Sequence, residues 1–543
     1  MTETLSPKQK ADLSGGSQDV QQQRTGSADH ADRVLINASG HVQELPRNFS
    51  LISLAGVGVT VGNVWPAIGG SILTAIFNGG PPGVIYEFIT VSVFYWCVAA
   101  SIAELASAIP TAAGVYHWAT VTPGSARWGR PIGYFAGWWN YLAWVAGAAS
   151  MASIFGNTIV QMYALNHADF APQPWHVFVV YMVATWAACA AVCLANRVMP
   201  HLNNLGILFI VVGFLVTVTV VTAMPGRDGR APHASSAFVW TSWRADLGYP
   251  DGFVFVAGML NGAFSVGAVD VVTHLSEEIP RASRNVPLAV LMQVGIGFAT
   301  GLAYLVAVMY AINDYDALLT APYPIAAIYR QATGSAAAAT GLLALVLACI
   351  SLNVVGLHIT AGRTLWALAR DGAAPLPRLL GRVDPRLDVP ANATLASAVL
   401  VTLLGVLYVG STTAFNAFVG CFVLMSSSSY LAAILPNLLT GRRNIQYGVF
   451  RLKGWLGFAL NGVACAYMVV WFVIYCFPFS LPVDAKNMNY ASVIWGGTTT
   501  LAGLWWAFGA RHGYQGPKTT GGVTVDVLEA DLAHVDLVAG QHR

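Results

Sequence analysis

Stretches of about 20 predominantly apolar residues recur along this chain, and each can cross the roughly 30 Å hydrocarbon core of a bilayer as a helix. In hydrocarbon every backbone N–H and C=O must find a partner inside the protein, so only helices and closed barrels span it. The runs do not alternate apolar and polar residues, which excludes a barrel. Of the 543 residues 56% are hydrophobic and only 10% charged, well below the roughly 25% charged residues of an ordinary soluble domain. The chain reads as an all-α membrane protein.

Twelve spans are expected, at about 49–73, 82–109, 131–165, 175–195, 202–224, 252–275, 286–312, 335–368, 391–409, 414–439, 455–477 and 490–508, with a polar connector at 225–250. Residues 1–48, rich in Ser, Gln, Asp and Gly, read as a disordered tail without a cleavable signal peptide. Residues 511–543 form a second tail, leaving 49–510 as the membrane domain. All seven cysteines fall in apolar runs, where the residue acts as a small hydrophobe, and none has metal-ligand spacing. No cofactor is expected, and with a formal charge of +2 and no basic tract, no nucleic-acid partner either. The sequence sets no oligomeric state.

With the N-terminus in the cytoplasm, the inner connections hold Arg127, Arg130, Arg197, Arg281, Arg284, Arg363, Arg370, Arg378, Arg382, Arg386, Arg442, Arg443, Arg451 and Lys453. The outer ones hold only Arg227, Arg230, Arg244, Arg330 and Lys486. The positive-inside rule therefore places both tails in the cytoplasm. The sequons at Asn37, Asn48 and Asn392 then lie inside and carry no weight.

Two spans contain features that an isolated membrane helix has no reason to carry. The first reads AGVGVTVGNVWP over 55–66, with Gly56, Gly58, Gly62 and Asn63; the sixth reads GAFSVGAVD over 262–270, with Gly262, Gly267 and an acid, Asp270. Each opens a set of five helices, roughly 49–224 and 252–438. The pairing suggests a five-plus-five inverted repeat with helices 11 and 12 (455–508) appended. A pair of glycine-broken spans at matching positions points to a transporter site at the bilayer midplane. Any one glycine could equally serve close helix packing.

On the site reading, unwinding around Gly58–Gly62 and Gly262–Gly267 frees backbone groups to meet a solute. Thr60, Asn63, Phe264 and Ser265 lie beside the two breaks. Asp270 faces either the cavity, where it could bind a cation or carry a coupled proton, or a neighbouring helix.

Four stretches together resemble the amino acid-polyamine-organocation permeases, and within them the fungal amino acid, GABA and choline permeases. They are the first break; SIAELASAIPTAAGVYHW (101–118); LSEEIPRASRNVP (275–287); and RTLWALARDGAAPLPRLLGRVDPRLDVP (363–390). The resemblance covers about 49–508. It implies the leucine-transporter type of fold and secondary active uptake, commonly coupled to protons.

Within these stretches, Glu104 could serve proton coupling or an inner gate, or pair structurally with a neighbouring helix. Glu277 and Arg281 are four apart and could pair as a latch if helix 6 continues that far. Trp65, Trp138, Trp139 and Tyr141 could hold an ammonium group by cation–π attraction, helix 3 lining the site in this fold. Asn353 in helix 8 could line the site or bond across helices.

The expected function is import of a small nitrogenous solute, such as an amino acid, GABA or choline, across the plasma membrane by alternating access with protons as coupling ion. The alternative is a nutrient-sensing receptor of the same fold with little flux.

Overall fold

Glycine and proline punctuate this chain where the helices begin, bend and end, and the computed structural model shows how. It describes residues 50–195, 198–227, 229–410, 414–485, 487–514 and 516–517. The tail expected at 1–48 and most of that at 511–543, with Asn37, Asn48, Arg197 and Lys486, lie outside those residues.

The first span is two helices, α1 (Leu51–Gly62) and α2 (Val64–Gly70), separated by Asn63 alone. Next come α3 (Gly80–Ala108), the short α4 (Val115–Val121), α5 (Ala126–Ala164), α6 (Pro174–Leu194) and α7 (Met199–Ala223). After the connector, α8 (Asp251–Val266) gives way to a turn at 267–270 and a 3-10 segment, Val271–Glu278. The longer helices that follow are α9 (Ala282–Tyr310), α10 (Ala336–Arg370), α11 (Ala391–Gly410), α12 (Ala414–Leu439), α13 (Gly454–Ile474) and α14 (Ala491–Trp505).

Among the described residues ten helical spans are long and apolar enough to cross a membrane, the broken pairs Leu51–Gly70 and Asp251–Glu278 each counting as one. The two expected spans outside that set are α11 and α14. α14 has 15 residues and runs on into a π-helical turn, Trp506–Ala510.

α3 carries Pro81 and Pro82 in its first turn, where a missing N–H costs nothing. It stops at Ile109, which Pro110 forces out of the helical region, to φ −135° and ψ 80°. Pro131 and Pro287 lie inside α5 and α9, so both helices start about a turn earlier than expected. A proline so near a helix start forfeits a bond without ending the helix.

α7 leaves Leu208, Val211, Val212, Leu215 and Val216 exposed, and α13 does the same with Leu456, Val463, Val469, Val470 and Val473. Such faces suit lipid. α8 meets α3 through a Gly-x-x-x-Gly stripe: a methyl group on Gly258 would overlap the Glu87 carboxyl, and one on Gly262 would overlap the Val91 side chain. Small residues four apart let two membrane helices close to this distance.

One end of the bundle is shut by buried ion pairs. Arg442, in the loop after α12, reaches Glu104 of α3 at 2.5 Å. The Leu452 N–H donates to the same carboxylate at 2.7 Å. Arg363 pairs with Glu278 at 2.9 Å, and Arg370 lies 3.7 Å from Glu277. Ala112 N–H also donates to Glu277, and the Ser283 hydroxyl donates to Ser107 O. Between the spans, Tyr116 donates to Asp371 Oδ2 at 2.8 Å. Burial, then the adjacent carboxylate, pushes its phenol well above the ordinary tyrosine range.

Removing one member of such a pair strands a buried charge. Arg442→Ala is expected to cost about 3–5 kcal/mol, read as a lowered melting midpoint in detergent. The double change Arg442→Met with Glu104→Leu should recover most of that loss. Equal destabilisation by the double change would show that the pair does more than neutralise charge.

Candidate functional site

A helix that stops inside a membrane leaves carbonyls without partners, and the side chains that meet them define this site. Asn63 ends α1 in the left-handed region, φ 35° and ψ 43°, a conformation that asparagine tolerates better than most residues. Of the carbonyls freed there, Val61 O accepts from Asn353 Nδ2 at 2.6 Å, and Thr60 O lies 3.4 Å from the same nitrogen. Asn353 of α10 thus caps the first break.

At the second break, Ala268 O accepts from Gln293 Nε2 of α9 at 2.7 Å. Gly267 O faces the Tyr430 hydroxyl of α12 at 3.1 Å. Gln293 also lies over α1, close enough that a Cβ on Gly58 or Gly62 would stand 2.9 or 2.8 Å from its amide. A single side chain therefore caps one break while packing on the helix that leads to the other.

This corrects the expectation that the chain unwinds around Gly58–Gly62 and Gly262–Gly267. Gly58 and Gly62 are helical in α1, and Gly262 is helical in α8. They admit Gln293 and α3 instead. The unwound positions are Asn63 and the turn at 267–270.

Between the breaks lies a cavity of ≈ 20 Å³, room for about one water molecule. Gly62, Ala67, Phe264, Ser265, Ala268 and Asn353 line it, together with Gly147 and Met151 of α5, Leu357 of α10 and Phe422 of α12. None of the lining side chains is charged. The rings of Phe264 and Phe422 meet edge to face at 5.6 Å, and Trp144 stands 5.9 Å from Phe422. Ser265 spends its hydroxyl on Asn261 O. Thr60 and Asn63 are buried just outside the lining, and neither the Thr60 hydroxyl nor the Asn63 amide has a partner among the described residues.

Asp270 is wholly buried and is not part of that lining. Its Oδ2 accepts from Asn140 Nδ2 of α5 at 2.7 Å and lies 3.2 Å from His274 Nε2; its Oδ1 accepts from Tyr430 at 2.5 Å. The other ring nitrogen of His274 faces Ala112 O at 3.1 Å. Asp270 thus ties the second break to α5, α12 and the closed end.

Other expected site residues are placed elsewhere. Trp139 faces away from the cavity, stacking on Trp495 at 5.8 Å and donating to Thr499. Trp65 donates to Ile210 O of α7, and Tyr141 bonds Ser397 of α11. From α5 it is Gly147 and Met151 that reach the cavity, with Trp144 beside Phe422. On a 39-residue helix that is buried nearly all round, sequence spacing does not say which face meets the site.

Glu277 and Arg281 do not pair. The chain turns at Ile279, and Arg281 is exposed with φ 51° at the head of α9. Glu277 faces Arg370 instead, and Glu104 faces Arg442. Gln293, Tyr430, Asn140, His274 and Phe422 were not singled out from sequence. The signal for Gln293 was an amide inside an otherwise apolar span.

A family profile described as amino acid permease matches residues 49–498. The choline transporter of Saccharomyces cerevisiae is 33% identical over 485 residues, 88% of this chain and 84% of that protein. The transmembrane transporter swnT of Metarhizium robertsii is 30% identical, covering 90% of this chain and 96% of that protein. The amino-acid permease BAT1 of Arabidopsis thaliana is 26% identical, covering 89% and 96%. With its two broken helices, a family match over most of its length and such relatives, the chain belongs to the amino acid permease family.

Proposed function

We propose that this protein is a twelve-span secondary transporter built as a five-plus-five inverted repeat with two appended helices, importing a small solute that bears an ammonium group by alternating access. Protons are the proposed coupling ion. Both tails lie in the cytoplasm, and the plasma membrane is the proposed site of action.

The observation that carries this reading is the pair of breaks facing one cavity, each capped by an amide on another helix. Freed carbonyls and the rings of Phe264, Phe422 and Trp144 both attract an organic cation. The choline transporter among the relatives makes choline the first solute to test, with GABA and amino acids beside it. The cavity is too small for any of them, so substrate must enter a more open state. The ion pairs at one end are the contacts that would part on the opposite stroke.

The test is uptake of labelled choline, GABA and an amino-acid panel into permease-deficient cells, with and without a protonophore. Accumulation of at least one solute, abolished by the protonophore, is expected. No accumulation at normal surface expression would defeat the reading. Phe422→Ala should raise the half-saturation for choline about 5- to 30-fold, corresponding to about 1–2 kcal/mol of cation–π attraction.

Asp270 is assigned the positioning of the second break. Asp270→Asn loses an acceptor among several donors and should cost about 1–3 kcal/mol, seen as a lower melting midpoint with the pH profile of uptake unmoved. A displaced pH profile would instead assign proton coupling to Asp270.

A further inference from the structure

One acid in the membrane-spanning region stands apart from the rest. Glu104, Glu277, Glu278 and Asp270 are buried, and each faces an arginine or several hydrogen-bond donors. Glu87, two turns into α3, is 2% exposed, and neither oxygen of its carboxyl group has a hydrogen-bond partner among the described residues. An ionised carboxylate sealed from water without a donor is very unfavourable, and acids kept inside membranes tend to serve ion or proton paths. The neutral acid is the form this enclosure accepts.

What seals it is α8, the first half of the second broken helix. Gly258 lies directly on the carboxyl, and one turn further Gly262 lies on Val91. Asn261 of the same helix accepts from Ser71 at 2.5 Å while its own Nδ2 has no partner among the described residues. Beyond α13, the hydroxyl of Tyr475 faces that of Tyr467 at 3.3 Å, and the ring of Tyr467 meets Tyr95 of α3 edge to face. Asp251, at the start of α8, is engaged by Trp243. α9 contributes the ring of Phe298, stacked on Phe88. The helical turn Ser236–Trp240 carries no ionisable side chain.

We propose that Glu87 is a proton-binding site whose occupancy is tied to the contact between α8 and α3. The carboxyl holds its proton while Gly258 covers it, and ionises when α8 withdraws and water reaches it. The proton enters from the aqueous phase at the end of the bundle opposite the ion pairs and, once the broken helix has moved, leaves toward the other side, so that its passage down a pH gradient can drive the solute. The site is separate from the central cavity, so proton and solute are linked through movement of the broken helix rather than by contact. Only that last step rests on the transporter reading.

The test has a part that needs no substrate. Purified protein in lipid is followed by infrared spectroscopy for the C=O stretch of protonated carboxylic acids. Hydrogen–deuterium exchange over residues 251–266 is measured at acidic and alkaline pH, corrected for intrinsic rates. The expected wild-type result is a protonated-acid band at neutral pH and faster exchange of α8 at alkaline pH. Glu87→Gln, neutral at every pH, should lose that band and keep α8 protected throughout, and Glu87→Asp should restore the pH response. A wild type whose spectrum matches Glu87→Gln, or a Glu87→Gln protein whose α8 still opens with pH, overturns the proposal.

The second part uses labelled choline in liposomes. Glu87→Gln should keep choline exchange and lose accumulation driven by a pH gradient. Wild-type accumulation in that variant overturns the proposal. So does a raised half-saturation with unaltered pH dependence, which would make Glu87 a substrate contact. Absence of choline flux in the wild type would count against choline as the solute, while the infrared and exchange results still decide the role of Glu87.

Discussion

A helix that breaks inside a bilayer has no water to satisfy the groups it frees, and the centre of this protein is arranged around that demand. The first break gives its carbonyls to Asn353, and the second gives Ala268 O to Gln293. Gln293 can reach only because α1 presents glycine at 58 and 62, where any larger residue would displace it. Leu54 and Val61 remain buried on the same helix, so α1 is packed tightly while keeping a slot for an amide. The breaks are thus properties of pairs of helices rather than of single sequences.

The same bonds are the ones a half-helix would give up in the proposed alternating-access cycle. Each cap contributes about 1 kcal/mol net and is lost if a half-helix moves, unless solvent or solute replaces it. A ligand shifts such an equilibrium only by as much as it binds one state better than the other. A solute with its own donors, entering where the cavity is now ≈ 20 Å³, can take over the carbonyl that Asn353 or Gln293 gives up. Because Gln293 touches α1 and the second break together, displacement of either is felt by the other. Arg442–Glu104 and Arg363–Glu278 hold the far end with buried charges, whose separation requires that water reach both members.

How much of this could be read from the chain follows from what each signal measures. Length and apolarity mark a span wherever it faces lipid or protein, so the helices fall close to their expected limits, and proline explains the shifts at α5 and α9. That spans one and six are interrupted was also legible. The residue at which each breaks was not, because glycine signals both unwinding and close approach, and at Gly58, Gly62 and Gly262 close approach prevails. Facing was the other gap. Trp139 and Met151 lie on one helix, yet one packs on α14 and the other lines the cavity. Glu87 was not singled out from sequence: it is an acid in an apolar run, and its want of a hydrogen-bond partner among the described residues exists only once α8 is laid upon it.

A solute with an ammonium group, as proposed, has to suit the way the helix ends at the centre are used. A helix N-terminus attracts anions, and two helical segments, α2 and the 3-10 segment Val271–Glu278, begin at the breaks. At the second break Asp270 stands at the head of the 3-10 segment, and its carboxyl group does not cap that segment but draws donors from Asn140 and Tyr430. An incoming carboxylate would meet a resident one. What remains open to a solute there is the carbonyl side of the breaks and the faces of Phe264 and Phe422, and both are electron-rich. A zwitterion could be held only with its carboxylate directed toward α2 and the Asn63 amide, which has no partner among the described residues, whereas a cation without a carboxylate makes no such demand.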